Sequence, residues 1–187
     1  MKNILLLFFL FFISCSELKV ISYNIRYESP NEKINSWKTR ENYIISFLSD
    51  KNPDFIGLQE VTNSQLRDLI KSLVNHNYIG VGREDGLTKG EFSPIFFNIN
   101  RYKVLFHDTF WLSRTPEKVS RGWDAAIKRI CTYGLFENLV SKKRIWVFNT
   151  HFDHIGIEAK KKSADLILKK INSMNKDETP LILTGDF

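Results

Sequence analysis

Apolar and polar residues along this 187-residue chain follow two periods, and the chain switches between them repeatedly. Lys19 to Ile25 reads as a strand carrying Val20 and Ile21. Trp37 to Leu48 changes to helical spacing, with Tyr43, Ile44, Phe47 and Leu48 on one stripe. Asn52-Pro53-Asp54 ends that helix and opens a short apolar strand, Phe55 to Gln59. Thr62 and Gln65 have the spacing of a capping box, which predicts a helix buried through Leu66, Leu69, Ile70 and Leu73. Short strands are expected at Tyr78 to Gly82 and Pro94 to Asn98, with a polar, glycine-bearing loop from Gly82 to Gly90 between them. Tyr102 to Leu112, Ile130 to Leu139 and Arg144 to Thr150 read as successive strands; in the last, Trp146 and Phe148 alternate with Val147 and Asn149. A helix follows from Ile157 to Met174, buried through Ala164, Ile167, Leu168 and Ile171, and Pro180 precedes a final strand. Helix-strand alternation flanking an antiparallel-looking centre predicts an α/β fold, a layered α/β sandwich of two mixed sheets flanked by helices. Neither a repeat nor a Pro/Gly-rich linker divides the chain, and its length suits one domain with a sizeable core.

The first residues follow a different logic. Lys2 precedes an uninterrupted apolar stretch from Ile4 to Ile13. A bilayer span needs about 20 residues, so the stretch reads as the apolar region of a signal peptide. Phe12-Ile-Ser-Cys15 resembles a bacterial lipoprotein box, with Phe12 where Leu is usual. On this reading residues 1–15 are a lipoprotein signal peptide with its acceptor Cys15, and residues 16–187 are the domain. The lipid on Cys15 would anchor the protein to a membrane of the bacterial cell envelope. The alternative is a secreted or periplasmic protein without lipid. Cys131 would then have no partner for a disulfide, and its strand-like surroundings make it a small buried hydrophobe.

Composition adds little. Hydrophobic content of 43% and charged content of 26% are ordinary for a globular protein. A net charge of +6 favours an anionic partner such as a phosphoester or nucleic acid. However, Lys160, Lys161, Lys162, Lys169 and Lys170 fall in one predicted helix, where a solvated face accounts for them equally.

Candidate chemistry lies at the strand tips. Asn24 follows Val20-Ile-Ser-Tyr23, Glu60 follows Phe55-Ile-Gly-Leu-Gln59, and Asp186 follows Leu181-Ile-Leu-Thr-Gly185. Oxygen donors at the rim of a sheet can bind a hard cation. Taken singly, each is as readily a surface residue opening a loop; three together carry more weight. His151 ends a fourth apolar strand within Asn149-Thr-His-Phe-Asp-His154. A strand-end histidine is often structural, and His-x-Asp-His also suits a transition metal, but His76 and His107 stand in unrelated contexts and supply no further cluster.

The order and spacing of four blocks resemble the endonuclease/exonuclease/phosphatase family of metal-dependent phosphoesterases: Ser22-Tyr-Asn-Ile-Arg26, Ile56-Gly-Leu-Gln-Glu-Val61, Asn149 to His154, and Thr184-Gly-Asp-Phe187. Glu91 resembles the acidic residue that pairs with the third-block histidine in secreted deoxyribonucleases, and Arg129 their phosphate-contacting arginine. Gly122-Trp-Asp-Ala-Ala126, and Asn35-Ser-Trp37 followed by Arg40, resemble a bacterial branch that is often secreted. The resemblance implies hydrolysis of a phosphoester by in-line water. Asn24 and Glu60 would hold Mg2+ or Mn2+, His151 oriented by Glu91 would donate to a nonbridging oxygen, Arg129 would clamp the phosphate, and Asp186 would orient the water. The implied substrate is a nucleic acid, a nucleotide or a small phosphorylated compound, handled by a monomer. A phospholipid or sphingomyelin phosphodiesterase and a non-catalytic phosphate-binding remnant stand as alternatives. In the family an Asn follows Gly-Asp-Phe directly, and a later segment carries Ser-Asp-His. The chain as given ends before both, so the expectation is a domain incomplete at its C-terminus, inactive and of reduced stability.

Overall fold

The computed structural model describes residues 17–187. The expected signal peptide, with its acceptor Cys15, lies outside the described residues. Eleven elements follow in the order β1 (Val20–Asn24), α1 (Trp37–Lys51), β2 (Phe55–Gln59), α2 (Asn63–Ser72), β3 (His76–Ile79), β4 (Ile95–Asn98), β5 (Tyr102–Trp111), β6 (Ile130–Asn138), β7 (Arg144–His151), α3 (Ile157–Met174) and β8 (Leu181–Asp186). They form two four-stranded sheets, ordered β1-β2-β4-β3 and β5-β6-β7-β8. Both sheets are mixed. β1 runs parallel to β2 and β7 parallel to β8, whereas the other neighbours are antiparallel.

Period-two patterning gives each central strand two buried faces. In β2, Phe55 points between the sheets while Ile56 and Leu58 point to the helices. In β7, Ile145 and Val147 meet Phe55, Phe97 and Phe136 in the inter-sheet core, while Trp146 and Phe148 pack with Tyr133 beneath Ile167 of α3. Trp37, Ile44 and Leu48 of α1 and Leu66 and Leu69 of α2 cover the outer face of the first sheet. The layers therefore run helix, sheet, sheet, helix, which is the expected α/β sandwich.

Three details differ from the sequence expectation. β3 ends at Ile79 because Gly80 takes φ +128°, so the strand lies two or three residues earlier than Tyr78 to Gly82. Leu168 is 56% exposed, and α3 instead buries Ala159, Ser163 and Ile167, one residue every turn along a narrow stripe. Tyr43 and Ile70 are likewise exposed. Each helix covers only part of a four-stranded sheet, so its buried stripe is narrower than its apolar one.

Candidate active site

The β1, β2, β7 and β8 tips meet at one rim of the sandwich. Parallel pairing in each sheet brings the two tips of that sheet side by side: Asn24 opposite Gln59, and His151 opposite Asp186. The first sheet then meets the second through Asn24. Its amide Nδ2 donates to Glu60 Oε1 at 2.7 Å and to Asp186 Oδ2 at 2.8 Å, while its Oδ1 accepts from Arg26 N. Two carboxylates from different sheets therefore converge on one side chain.

Glu60 is aimed by its backbone. It takes φ +60°, a left-handed conformation that costs a non-glycine residue about 1–3 kcal/mol. The turn carries its carboxylate back to Asn24 and to the backbone N–H of Tyr27, which donates to Oε2 at 3.0 Å. The 25–28 loop is braced from behind. Arg40 donates to the carbonyls of Ile25 and Arg26, and Gln65 donates to the Arg26 carbonyl while accepting from Glu28 N. The Asn-Ser-Trp and Arg40 block thus serves the site as a buttress.

Nitrogen donors stand beside the carboxylates at the same rim. Arg129, Glu91, His151, His154, Glu60, Tyr27 and Ile127 line a pocket of about 230 Å³. All six residues singled out in the sequence therefore gather here, Asn24 and Asp186 through their bonds and the other four as lining. His151 Nε2 is 3.8 Å from Asp186 Oδ2. Burial, then the neighbouring Arg129 charge, depress the His151 pKa to about 4 against the pull of Asp186 and Glu60. Burial and the charge of Arg83 likewise push Arg129 down.

The expected pairing of Glu91 with His151 is not made. Arg83 clasps Glu91 with two hydrogen bonds, at 2.8 and 2.9 Å, while His151 Nδ1 is buried with no partner among the described residues. The correction has a simple cause. A bidentate guanidinium–carboxylate pair is stronger than a single imidazole contact, so Arg83 holds Glu91 in its own direction. Burial still raises the Glu91 pKa, with Arg83 and Arg129 opposing.

Sequence reasoning missed Arg83, which lay inside what read as a polar loop. A single arginine eight residues from its partner leaves no periodic trace. It also underweighted Asp153. This buried carboxylate accepts from the backbone of Ile127, Ile155 and Gly156 and lies 3.8 Å from Arg129 Nε. Asp153 thereby ties the segment carrying Arg129 to the turn after β7.

The donor set suits a hard cation. Among the described residues, no three His, Cys, Asp or Glu side chains form a metal-ligating cluster. Mg2+ does not need one, since it is commonly held by one or two carboxylates and keeps several waters. Glu60 and Asp186, both hydrogen-bonded to Asn24, bring two carboxylates to this rim.

Comparison with known proteins places this geometry. A structure from Bacteroides vulgatus, described as an endonuclease/exonuclease/phosphatase, is 41% identical with a TM-score of 0.86, over 91% of this chain and 64% of that one. A mannosyl-6-phosphatase from Bacteroides thetaiotaomicron is 37% identical with a TM-score of 0.88, over 91% of this chain and 65% of that one. An uncharacterised protein, L388 of Acanthamoeba polyphaga mimivirus, is 28% identical over 91% of this chain and 66% of its own length. The chain thus spans just under two thirds of the length of each. Residues 21–187 match the sequence model of the Endonuclease/Exonuclease/phosphatase family, and the chain belongs to that family.

Proposed function

We propose that this protein hydrolyses phosphate esters of a small phosphorylated compound, a sugar phosphate in the first instance, with Mg2+ or Mn2+ as cofactor. The observation that carries the reading is the convergence at one rim of two carboxylates, Glu60 and Asp186, joined through Asn24, with two nitrogen donors, Arg129 and His151, that line a pocket together with Glu60. Enzymes of this family are hydrolases that generally use divalent metals. The similarity to a mannosyl-6-phosphatase supports a sugar phosphate as the substrate to try first.

Glu60, positioned by Asn24, would hold the cation. When bound, the cation neutralises charge developing on the phosphoryl oxygens. Arg129 offers a fixed fork of donors to the same phosphate. His151 donates to a nonbridging oxygen, and Asp186 accepts from the attacking water and orients it.

The test measures hydrolysis of sugar phosphates by the purified protein. Glu60→Ala is expected to lower turnover of sugar phosphates by about a hundredfold or more, the scale for losing one electrostatic stabiliser of the transition state. Titration calorimetry on the 187-residue chain should show Mn2+ binding that the same substitution removes. Undiminished turnover in excess chelator would reject the metal assignment. Preferential cleavage of an oligonucleotide would reject the substrate class.

A further inference from the structure

Three buried nitrogens beside the pocket have no hydrogen-bond partner among the described residues: Arg83 Nε, Arg129 Nε and His151 Nδ1. The residues that carry them line one small void of about 10 Å³, together with Glu91, Phe92, Ser93 and Ile130. That is the room one water molecule needs, and a buried water is held by two to four polar partners. Nearby carboxylates do not satisfy these groups. Glu84 Oε1 is 3.8 Å from Arg83 Nε, and Asp153 Oδ2 is 3.8 Å from Arg129 Nε, both beyond hydrogen-bond range.

Valence fixes how a water would be used there. A guanidinium has donors only. The two arginine Nε–H groups would occupy both lone pairs of the water oxygen, so both water hydrogens must find acceptors. The Glu91 carboxylate is one, since two bonds from Arg83 leave it spare lone pairs. The other is His151 Nδ1, which accepts only when the ring proton sits on Nε2. We propose that Arg83, Arg129 and Glu91 hold one water that donates to His151 Nδ1 and so fixes His151 as its Nε2–H tautomer.

Arg83 is then a positioning residue. It holds Glu91 away from His151 and supplies one anchor for the water. Its own backbone is fixed from both sides: Arg83 N donates to the Glu91 carbonyl at 3.1 Å, and Trp111 Nε1, from the other sheet, donates to the Arg83 carbonyl at 2.8 Å. The Nε2–H edge of His151 is the one toward Asp186, so the neutral ring presents its donor to the reacting phosphate. That last role rests on the phosphoesterase reading; the tautomer does not.

Long-range proton–nitrogen correlation spectra of the 15N-labelled chain test it directly. The chain has four histidines, and His151 is identified by the pattern that His151→Gln removes. Nδ1 is expected at the unprotonated position and Nε2 at the protonated one. Arg83→Met frees Glu91 to accept from His151 directly, so the tautomer should swap to Nδ1–H. A wild-type Nδ1–H pattern, or an unchanged tautomer in folded Arg83→Met, would overturn the proposal. Should that variant not fold, a high-resolution crystal structure of the wild type decides. An ordered water among Arg83 Nε, Arg129 Nε and His151 Nδ1 supports it; a dry void, or Glu91 seated on Nδ1, overturns it. No readout involves phosphate hydrolysis, so its failure is separable from failure of the proposed activity.

Discussion

Asp153 illustrates how one residue holds another in place. Burial alone would raise its pKa, but the backbone N–H groups of Gly156, Ala126, Ile155 and Ile127 reverse that and hold it down to about 2. The folded value lies below the ordinary 3.8. The anion's contribution to stability is therefore complete above about pH 4 and lost as pH falls through about 2, and it amounts to about 2 kcal/mol. Asp153→Asn is expected to remove about that much at neutral pH, because its amide cannot accept all of those donors. Urea unfolding at several pH values checks this: the difference between variant and wild type should shrink toward about pH 2, and a constant difference would refute it. Residues of this kind are hard to find in sequence. Asn24, Glu60, His151 and Asp186 were legible because each ends an apolar strand, so the pattern itself marks the position. Arg83 and Asp153 act through contacts with loops, and no local period announces such contacts.

At the level of elements, legibility followed the distance between interacting partners. The capping box of α2 was readable because Thr62 and Gln65 are three residues apart, and both reciprocal bonds form. The span of α3 was also readable from its apolar spacing, yet its cap was not. Gly156 at its N-cap has no side chain to offer, and the cap comes from Asp124, whose carboxylate accepts from Glu158 N at 3.2 Å and Ala159 N at 2.6 Å. This accounts for the Gly122-Trp-Asp-Ala-Ala126 block, which sequence reading noticed without a role. Gly122 is needed because a Cβ there would lie 2.1 Å from the Leu112 carbonyl oxygen. Asp124→Ala should cost about 1 kcal/mol, the usual worth of an N-cap, and lower the melting temperature by about 2–4 °C. A melt unchanged within error would mean that solvent caps α3 equally well.

At the scale of the whole molecule, the question is what aligns two sheets closely enough for their strand tips to share one site. Asn149 of β7, fully buried, provides the alignment. Its Nδ2 donates to the carbonyls of Leu58 at 2.7 Å and Pro94 at 2.9 Å, and its Oδ1 accepts from Gln59 Nε2 at 2.7 Å. The sheets approach so closely here that a Cβ on Gly57 would lie 2.8 Å from Asn149 Oδ1 and 2.1 Å from Thr184 Oγ1. The same strands continue directly into the site: Gln59 into Glu60, Asn149 into His151 two residues on, Thr184 into Asp186. Sequence showed the tips but not this clamp, because an asparagine inside a strand looks like any outward-facing polar residue until a second sheet lies over it. Asn149→Ala strips a buried hydrogen bond from the Leu58 and Pro94 carbonyls and from the Gln59 amide, but Pro94 keeps Leu58 N and Gln59 keeps the Gly57 carbonyl, so a loss of about 1–3 kcal/mol is expected in denaturant unfolding. The clamp also makes a second, sharper demand. Under conditions where the variant remains folded, Mn2+ affinity should fall as well, although Asn149 faces no cation, because Asn24, Glu60 and Asp186 no longer share one register. Lost stability with unchanged Mn2+ affinity would mean that the rim is set by the Asn24 bonds alone, and that Asn149 only fills the seam.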